Sequence, residues 1–354
     1  MVSSAANDLE SLQTELAELV EKLPSLKHGK WIQRSLEVLL RLSEQEIDRL
    51  DWKILSAAMQ DMERAFKVFY PYRHVRKITI FGSARVSSET PEYRMAVDFA
   101  RRVTQQGFMV MTGAGAGIMQ GGNEGAGAEK SFGLNIELPF EQGANPFIQG
   151  DPKLIDFKYF FTRKLFFLRE SDAIAFFPGG FGTQDEAMEC LTLCQTGKYG
   201  PVPMVLIDRP GGNYWQAWEA YVHTHLVEPG LVSPEDPSMY TITDNLDVAC
   251  EVINSFYKVY HSSRYVEGKF VIRLKSELSD KCVEQLNKDY SDILVKGKIE
   301  KAQTFPQELG DGTEELPRLA LHFNQREFAR LYQMIYTINR LCTPLPETVH
   351  PEIK

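Results

Sequence analysis

Hydrophobic residues in the first part of the chain are spaced as on one face of a helix. They recur every three to four positions up to about residue 70, in two runs: Leu9, Leu12, Leu16 and Leu19, then Ile32, Leu36, Leu39, Leu40 and Leu42. We expect the predicted helices to pack on another surface, because a single apolar stripe does not hold a helix in water. The pattern therefore predicts an N-terminal helical extension over residues 1–73, and an arm that binds a partner is the alternative.

From residue 74 the pattern changes to short apolar runs that alternate with helical periodicity. The runs predict strands at residues 77–81, 108–111, 132–138, 173–177, 202–207 and 239–243. Helices are predicted between them, at residues 91–106, from about 117, and at 158–169, 183–195, 214–227 and 245–259. Repeated strand-helix units with apolar strands indicate a parallel sheet covered by helices on both faces. We therefore predict a doubly wound, Rossmann-like α/β domain over residues 74–261.

The last part of the chain has a different order of elements. It predicts strands at residues 269–274, 297–303 and 319–323 and helices at 277–290 and 325–341, with a polar, acidic loop at 306–315. This order is typical of a small α+β module, which we assign to residues 262–354. Its charged residues are interpreted as a solvated face.

Composition and charge narrow the class of protein. The chain of 354 residues is 43% hydrophobic and 25% charged, as in soluble globular proteins, and no apolar run approaches the ~20 residues that span a bilayer. Its start lacks the basic-then-apolar order of a signal peptide, so we expect a cytoplasmic protein without a membrane partner. The net charge of −9 argues against a nucleic-acid partner, because phosphate-backbone affinity comes mainly from Lys and Arg. The five cysteines include no CxxC pair and no metal-ligand spacing, which predicts free thiols and no bound metal.

A glycine cluster follows the predicted strand at 173–177. Gly179, Gly180, Phe181 and Gly182 lead into a helix that is predicted to begin at Thr183. Glycines let the backbone turn sharply and approach a ligand, and the first amides of a helix attract anions, so the turn is a candidate phosphate site. Thr183 with Glu186 is also the sequence of an ordinary capping box, which needs no ligand.

Two more glycine turns follow predicted strands, one at Gly82-Ser83 and one that includes Gly115 and Gly117. Because parallel strands end at the same edge of a sheet, all three turns are expected at one ligand-binding edge. The turn at 113–117 lacks the third glycine of GxGxxG, and the chain has no GxxxxGK[ST] motif. The turns therefore favour a phosphate-bearing ligand other than a dinucleotide or a hydrolysed triphosphate.

Several motifs together resemble one family. They are IFGSAR at 80–85, TGAGAGIM at 112–119, the Arg163-Lys164 pair, and PGGFGTQDE at 178–186. This combination resembles the LOG (LONELY GUY) phosphoribohydrolases, long mislabelled as lysine decarboxylases, over residues 77–257. The resemblance implies hydrolysis of a nucleoside 5'-monophosphate, such as AMP or a cytokinin nucleotide, to free base and ribose 5-phosphate. It also implies a homo-oligomer built from dimers and no cofactor.

The resemblance also implies roles for individual residues. Arg163 and Glu186 become the catalytic pair, and Gly179, Gly180, Gly182 and Thr183 hold the phosphate, with Phe181 in the same turn. Residues implied to contact the nucleotide are Ser83, Gly115, Gly117, Glu141, Lys164 and Thr192. The sequence departs from the family where a GGGxG turn is usual, because Ala114 stands after Gly113.

The residues named as catalytic suit the reaction. Cleavage of a ribosyl bond builds positive charge on the sugar. A carboxylate such as Glu186 either stabilises this charge or activates the attacking water. A fixed Arg163 orients that carboxylate or holds the substrate. The structural alternative is an ion pair of Arg163 with Asp185 or Glu186. A non-catalytic nucleotide sensor remains the main functional alternative, and a decarboxylase is disfavoured because no site for pyridoxal phosphate is evident.

Overall fold

The computed structural model describes Glu18, residues 21–137 and residues 143–341, and these form two compact units divided after Gln60. The first unit contains a 3₁₀ turn (Leu23–Ser25), helix α1 (Gly29–Ser43) and the first half of helix α2 (Arg49–Phe69). The helices predicted around Leu9 to Leu19 lie outside the described residues. On α1, Trp31 and Leu40 are exposed, so its apolar stripe is largely open.

The second unit contains a seven-stranded parallel sheet in the order β4-β3-β2-β1-β5-β6-β7. Its strands are β1 (Lys77–Phe81), β2 (Met109–Thr112), β3 (Ser131–Ile136), β4 (Leu154–Phe157), β5 (Ala173–Phe176), β6 (Met204–Ile207) and β7 (Tyr240–Thr243). The chain order reverses between β1 and β5, which makes that position the switch point of a doubly wound sheet. The predicted fold class is confirmed.

Helices cover both faces of this sheet. They are α3 (Pro91–Gln105), α4 (Ile118–Ala126), α5 (Phe160–Glu170), α6 (Phe181–Gln195), α7 (Tyr214–Val222) and α8 (Leu246–Phe256). The chain after α7 continues as a π-helix (His223–Val227). Under one face, Phe69 stacks on Phe132 at 4.8 Å and Phe166 lies 5.8 Å from Phe157 between ring centroids. These aromatic contacts fix α2 and α5 against β3 and β4.

The C-terminal part forms a second, four-stranded antiparallel sheet in the order β10-β11-β9-β8. Its elements are β8 (Tyr260–Val266), β9 (Lys269–Leu274), α9 (Asp280–Asp289), β10 (Leu294–Ala302), β11 (Arg318–Phe323) and α10 (Phe328–Leu341). Sequence patterns predicted the α+β character of this part but missed β8. They missed β4 as well.

Helix α10 packs back onto the parallel sheet. The Tyr332 hydroxyl donates to Cys194 Sγ of α6 at 3.1 Å and accepts from the Val202 amide at 3.1 Å. The Asn339 side chain accepts from the amides of Val259 and Tyr260. The two sheets therefore share one continuous core. Among the described residues, no helix has both the length and the apolar character needed to cross a bilayer.

Candidate functional site

The glycine turn after β5 leads directly into α6. Gly180 is the residue before the helix, and no side chain caps the helix there. The capping-box interpretation is therefore wrong: α6 begins at Phe181, so Thr183 is its third residue and cannot be the cap. Thr183 is instead buried against Gly179, where an added Cβ would lie 2.1 Å from Thr183 Oγ1. The first amides of α6 thus face outward without a side-chain acceptor from a cap.

The three glycine turns lie together at the switch point. The Ser83 amide donates to Pro178 O at 3.1 Å, and the Ile118 amide donates to Ser83 O at 3.0 Å. Gly117 has a φ of +63°, and a Cβ there would lie 2.3 Å from Ser83 O, so this close approach requires glycine. The predicted juxtaposition of the turns is present.

The turn after β2 contains a non-glycine residue in the left-handed region. Ala114 has a φ of 61° and is buried. Its amide donates to Thr112 Oγ1, and its carbonyl accepts from both the backbone and side-chain amides of Asn145. The same Asn145 side chain donates to Gly115 O and to Asn123 Oδ1. This network holds the turn in its strained conformation.

A cavity of about 720 Å³ opens between the turns and helices α5 and α6. The predicted site residues that line it are Ser83, Arg163, Gly179, Gly180, Phe181, Gly182, Thr183 and Glu186. Gly115, Gly117, Lys164 and Thr192 are not among its lining residues. Thr192 is exposed farther along α6, where its hydroxyl donates to Met188 O. Glu141 lies outside the described residues.

Sequence reasoning missed other residues of this cavity. Arg85, Met119, Phe160 and Gln184 line it. Arg85 ends the IFGSAR motif quoted above, so the motif itself was the available signal. Tyr214 was also missed: its hydroxyl donates to Gly179 O and accepts from Gln184 Nε2, which fastens the glycine turn to α7.

The Glu186 carboxyl is electrostatically unusual. Burial raises the pKa of Glu186 to about 7, against the lowering effect of the positive charges of Lys164 and Arg163. The negative charges of Glu189 and Asp185 raise it further. Near neutral pH, Glu186 is thus poised between its protonated and ionised forms, as suits an acid–base group.

Lys164 is engaged with carboxylates. Its Nζ lies 2.8 Å from Asp185 Oδ2 and 2.7 Å from Glu189 Oε2. Burial alone would lower the pKa of Lys164, but hydrogen bonds to Asp185 and Glu189 hold it above its ordinary value. Asp185, one proposed structural partner of Arg163, is therefore paired with the neighbouring lysine.

Arg163 is positioned by the start of α5. Its guanidinium lies 5.2 Å from the Phe167 ring centroid, and a Cβ at Gly113 would lie 2.4 Å from Arg163 Nη2. The buried Asp61 carboxylate accepts from the amides of Lys158 and Tyr159, just before this helix, and from Thr162 Oγ1 in its first turn. The Arg163 guanidinium thus lies next to Gly113 and the Phe167 ring, and Arg163 lines the cavity.

Other reactive groups are sequestered. Cys190, Cys194 and Cys250 are buried free thiols. Within the ranges that the structure describes, no three or more His, Cys, Asp or Glu side chains are grouped to hold a metal ion.

Fold and site together define a doubly wound α/β protein with a glycine-lined cavity at its switch point and an acidic residue within it. A family model described as "Possible lysine decarboxylase" matches residues 109–253. That description is the older label of the LOG family, so over this segment the match supports the resemblance that the motifs predict. The family is one of nucleotide-related phosphoribohydrolases.

Solved structures of similar fold cover about half of the chain. The structural-genomics target TM1055 is 19% identical, covering 50% of this chain and 98% of its own, with a TM-score of 0.36. A molybdenum cofactor binding protein from Rippkaea orientalis is 15% identical, covering 51% and 94%, with a TM-score of 0.36. DNA processing protein A from Helicobacter pylori is 16% identical, covering 50% and 79%, with a TM-score of 0.35. At this level of similarity none of them bears on function. No curated protein matches the chain significantly.

Proposed function

We propose that the protein is a cytoplasmic hydrolase that cleaves the N-glycosidic bond of a nucleoside 5'-monophosphate, giving a free base and ribose 5-phosphate. The observation that carries the proposal is that Glu186 lies in the same cavity as the glycine-lined start of its own helix. The proposed phosphate site and the proposed acid–base group thus line the same cavity.

The start of α6 suits the 5'-phosphate. A Cβ at Gly180 or Gly182 would meet nothing within 4 Å, so packing within the protein does not require glycine at either position. Close approach of a ligand to the backbone explains both glycines. The amides and the dipole at a helix start favour an anion, and the Arg85 side chain adds a positive charge to the same cavity.

Glu186 is placed for the ribose. It follows the first residue of α6 by five positions, which corresponds to about 7.5 Å along the helix axis and is comparable with the length of ribose 5-phosphate. Binding of the phosphate at the helix start then holds the anomeric carbon of the ribose close to the Glu186 carboxylate, so that phosphate binding energy contributes to catalysis. In its ionised form Glu186 stabilises the positive charge on the sugar or activates water.

The remaining walls suit a sugar and a base. Arg163 lines the same cavity as Glu186, and its proposed role is to bind ribose hydroxyls or to orient the carboxylate. Phe160 and Phe181 present exposed aromatic surface at the same cavity, which suits a stacked purine. AMP and cytokinin nucleotides are therefore the first substrates to test.

The test is an assay of purified protein against a panel of nucleoside monophosphates, with free base and ribose 5-phosphate measured. Glu186→Gln should reduce turnover at least ~10²-fold, the scale for loss of an acid–base group, with little change in melting temperature. Glu228→Gln changes an exposed glutamate outside the cavity and should leave turnover unchanged. Activity should persist in a chelator, since the proposal includes no metal.

Two results would contradict the proposal. Unchanged turnover of Glu186→Gln would remove Glu186 from the mechanism. Tight binding of a nucleotide without cleavage of any panel member would favour a nucleotide sensor that uses the same cavity.

A further inference from the structure

Lys164 occupies a position distinct from that of its neighbour Arg163. Arg163 lines the cavity, whereas Lys164 lies outside its lining, between Asp185 and Glu189, at 2.8 Å and 2.7 Å from their carboxylate oxygens. The Lys164 side chain is only 16% exposed. An ammonium group already shared by two carboxylates in this way has little capacity left for a nucleotide phosphate.

The two partners of Lys164 flank Glu186 along α6. Asp185 precedes Glu186, and Glu189 follows it by three positions, so three carboxylates fall within about one helical turn. Their like charges repel each other unless a cation compensates them. The cations that act on Glu186 are Lys164 and Arg163 from α5, and Arg85 also lines the cavity. The thiol of Cys190, one turn farther on, is buried and neutral.

We propose that Lys164 is a positioning residue: by binding Asp185 and Glu189 it offsets part of the negative charge on either side of Glu186 and favours the ionised form of Glu186 in the cavity. This inference rests on the proposed function and assigns Lys164 a role other than contact with the nucleotide. The two ion pairs also join α5, which carries Arg163, to α6, which carries Glu186. Lys164 therefore couples the charge and the placement of the two catalytic candidates.

The sign of the effect follows from the charges. The pKa of Glu186, already raised to about 7 by burial, is held down by the positive charge of Lys164. Removal of Lys164 leaves Asp185 and Glu189 uncompensated, so the pKa of Glu186 rises further. A smaller fraction of Glu186 is then ionised at neutral pH, and the ionised form returns at alkaline pH.

The experiment is the pH profile of kcat and of KM for the wild type, Lys164→Met, Lys164→Arg and Glu189→Gln. Lys164→Met should move the acidic limb of kcat upward by about one pH unit, lowering turnover about fivefold at pH 7, with most of it regained at pH 9. Lys164→Arg retains the charge and should stay close to the wild type. Glu189→Gln removes a like charge and should move the limb toward acid.

A different pattern overturns the inference. If Lys164→Met raises KM for the nucleotide at every pH while the kcat limb stays in place, Lys164 binds substrate. Circular dichroism and thermal melting of each variant identify any loss of fold. If Lys164→Met does not fold, Glu189→Gln still tests the inference, which is overturned if the acidic limb of kcat does not move toward acid.

A substrate-free measurement separates this inference from the proposed function. In protein labelled with ¹³C at the glutamate carboxyl, the NMR signal that is lost in Glu186→Gln identifies Glu186, and its titration is then compared between the wild type and Lys164→Met. A wild type that cleaves no nucleotide overturns the proposed function, while the titration still tests the Lys164 effect. A wild type that cleaves nucleotide, with equal titrations in both proteins, overturns the inference alone.

Discussion

At the scale of single residues, Ala114 is the clearest case of strain beside the site. Its φ of 61° lies in the left-handed region, where an L-residue costs roughly 1–2 kcal/mol and glycine costs little. The hydrogen bonds from Asn145 and to Thr112 hold this conformation in place. The alanine noted in the motif therefore occupies a backbone position that favours glycine.

Ala114→Gly should accordingly stabilise the protein. Relief of the left-handed strain outweighs the extra entropy of an unfolded glycine, so the free energy of unfolding should rise by about 0.5–1 kcal/mol. Denaturant titration measures the change. Ala116→Gly, in the same turn but without a positive φ, should lower stability instead. Equal effects of the two substitutions would show that Ala114 is not strained in solution.

Some side-chain contacts near the site could not be predicted from the sequence. The motif pattern was sufficient to bring Arg163, Glu186 and the glycine turn into one cavity, because parallel strands end at a common edge. The pairing of Lys164 with Asp185 and Glu189 depends on how α5 and α6 are rotated against each other, which local patterns do not specify. The same holds for Tyr214, whose contact with Gly179 comes from a separate strand-helix unit.

At the scale of secondary-structure elements, the start of α5 depends on a carboxylate from α2. Asp61 is fully buried and accepts from two backbone amides and one hydroxyl at that helix start. Arg64 donates to the same carboxylate at 2.6 Å. The segment that leads into the helix carrying Arg163 is thus held by a residue about a hundred positions earlier in the chain.

Asp61→Ala should therefore destabilise the protein strongly. Two amides and one hydroxyl left without their acceptor predict a loss of about 2–4 kcal/mol in the free energy of unfolding. Glu63→Ala, which breaks an exposed ion pair with Lys67 on the same helix, should have little effect. Thermal and denaturant melting test both variants, and a loss no greater for Asp61→Ala than for Glu63→Ala would show that these hydrogen bonds of Asp61 do not stabilise the protein.

Sequence patterns predicted some helices and strands accurately and missed others. Buried strands such as β1 and β5 are continuous apolar runs and were predicted within one residue at each end. Strand β4 contains an exposed, charged Asp156, and β8 has polar, partly exposed residues in its middle, so neither is a continuous apolar run. The start of α6 was placed two residues late because Gly180, which precedes it, supplies no capping side chain.

At the scale of the whole molecule, apolar side chains are exposed on α5 and at the start of α6. Phe160 and Phe181 line it and are 52% and 97% exposed. Phe161 and Leu165 are four positions apart on α5, share a helix face, and are 57% and 48% exposed. Exposed apolar patches of this kind mark association surfaces. We propose that a second copy of the chain covers this face.

Leu165→Glu should then convert a dimer into a monomer, because it places a charge in the covered face. Light scattering coupled to size exclusion measures the mass. Leu309→Glu is the matched control, since Leu309 is 69% exposed in the C-terminal module and should leave the dimer intact. A monomeric wild type, or a Leu165→Glu variant that remains dimeric, would exclude this face as the interface.

The contact between α10 and α6 has a consequence for the order in which the protein matures. Gly197, just beyond α6, receives the Phe328 ring where a Cβ would lie 1.9 Å from it, and Tyr332 reaches Cys194 one turn farther along α10. These residues belong to the last described helix, so ribosomes deliver them after every strand of both sheets. The helix that holds Glu186 thus obtains its final packing only after α10 has been synthesised.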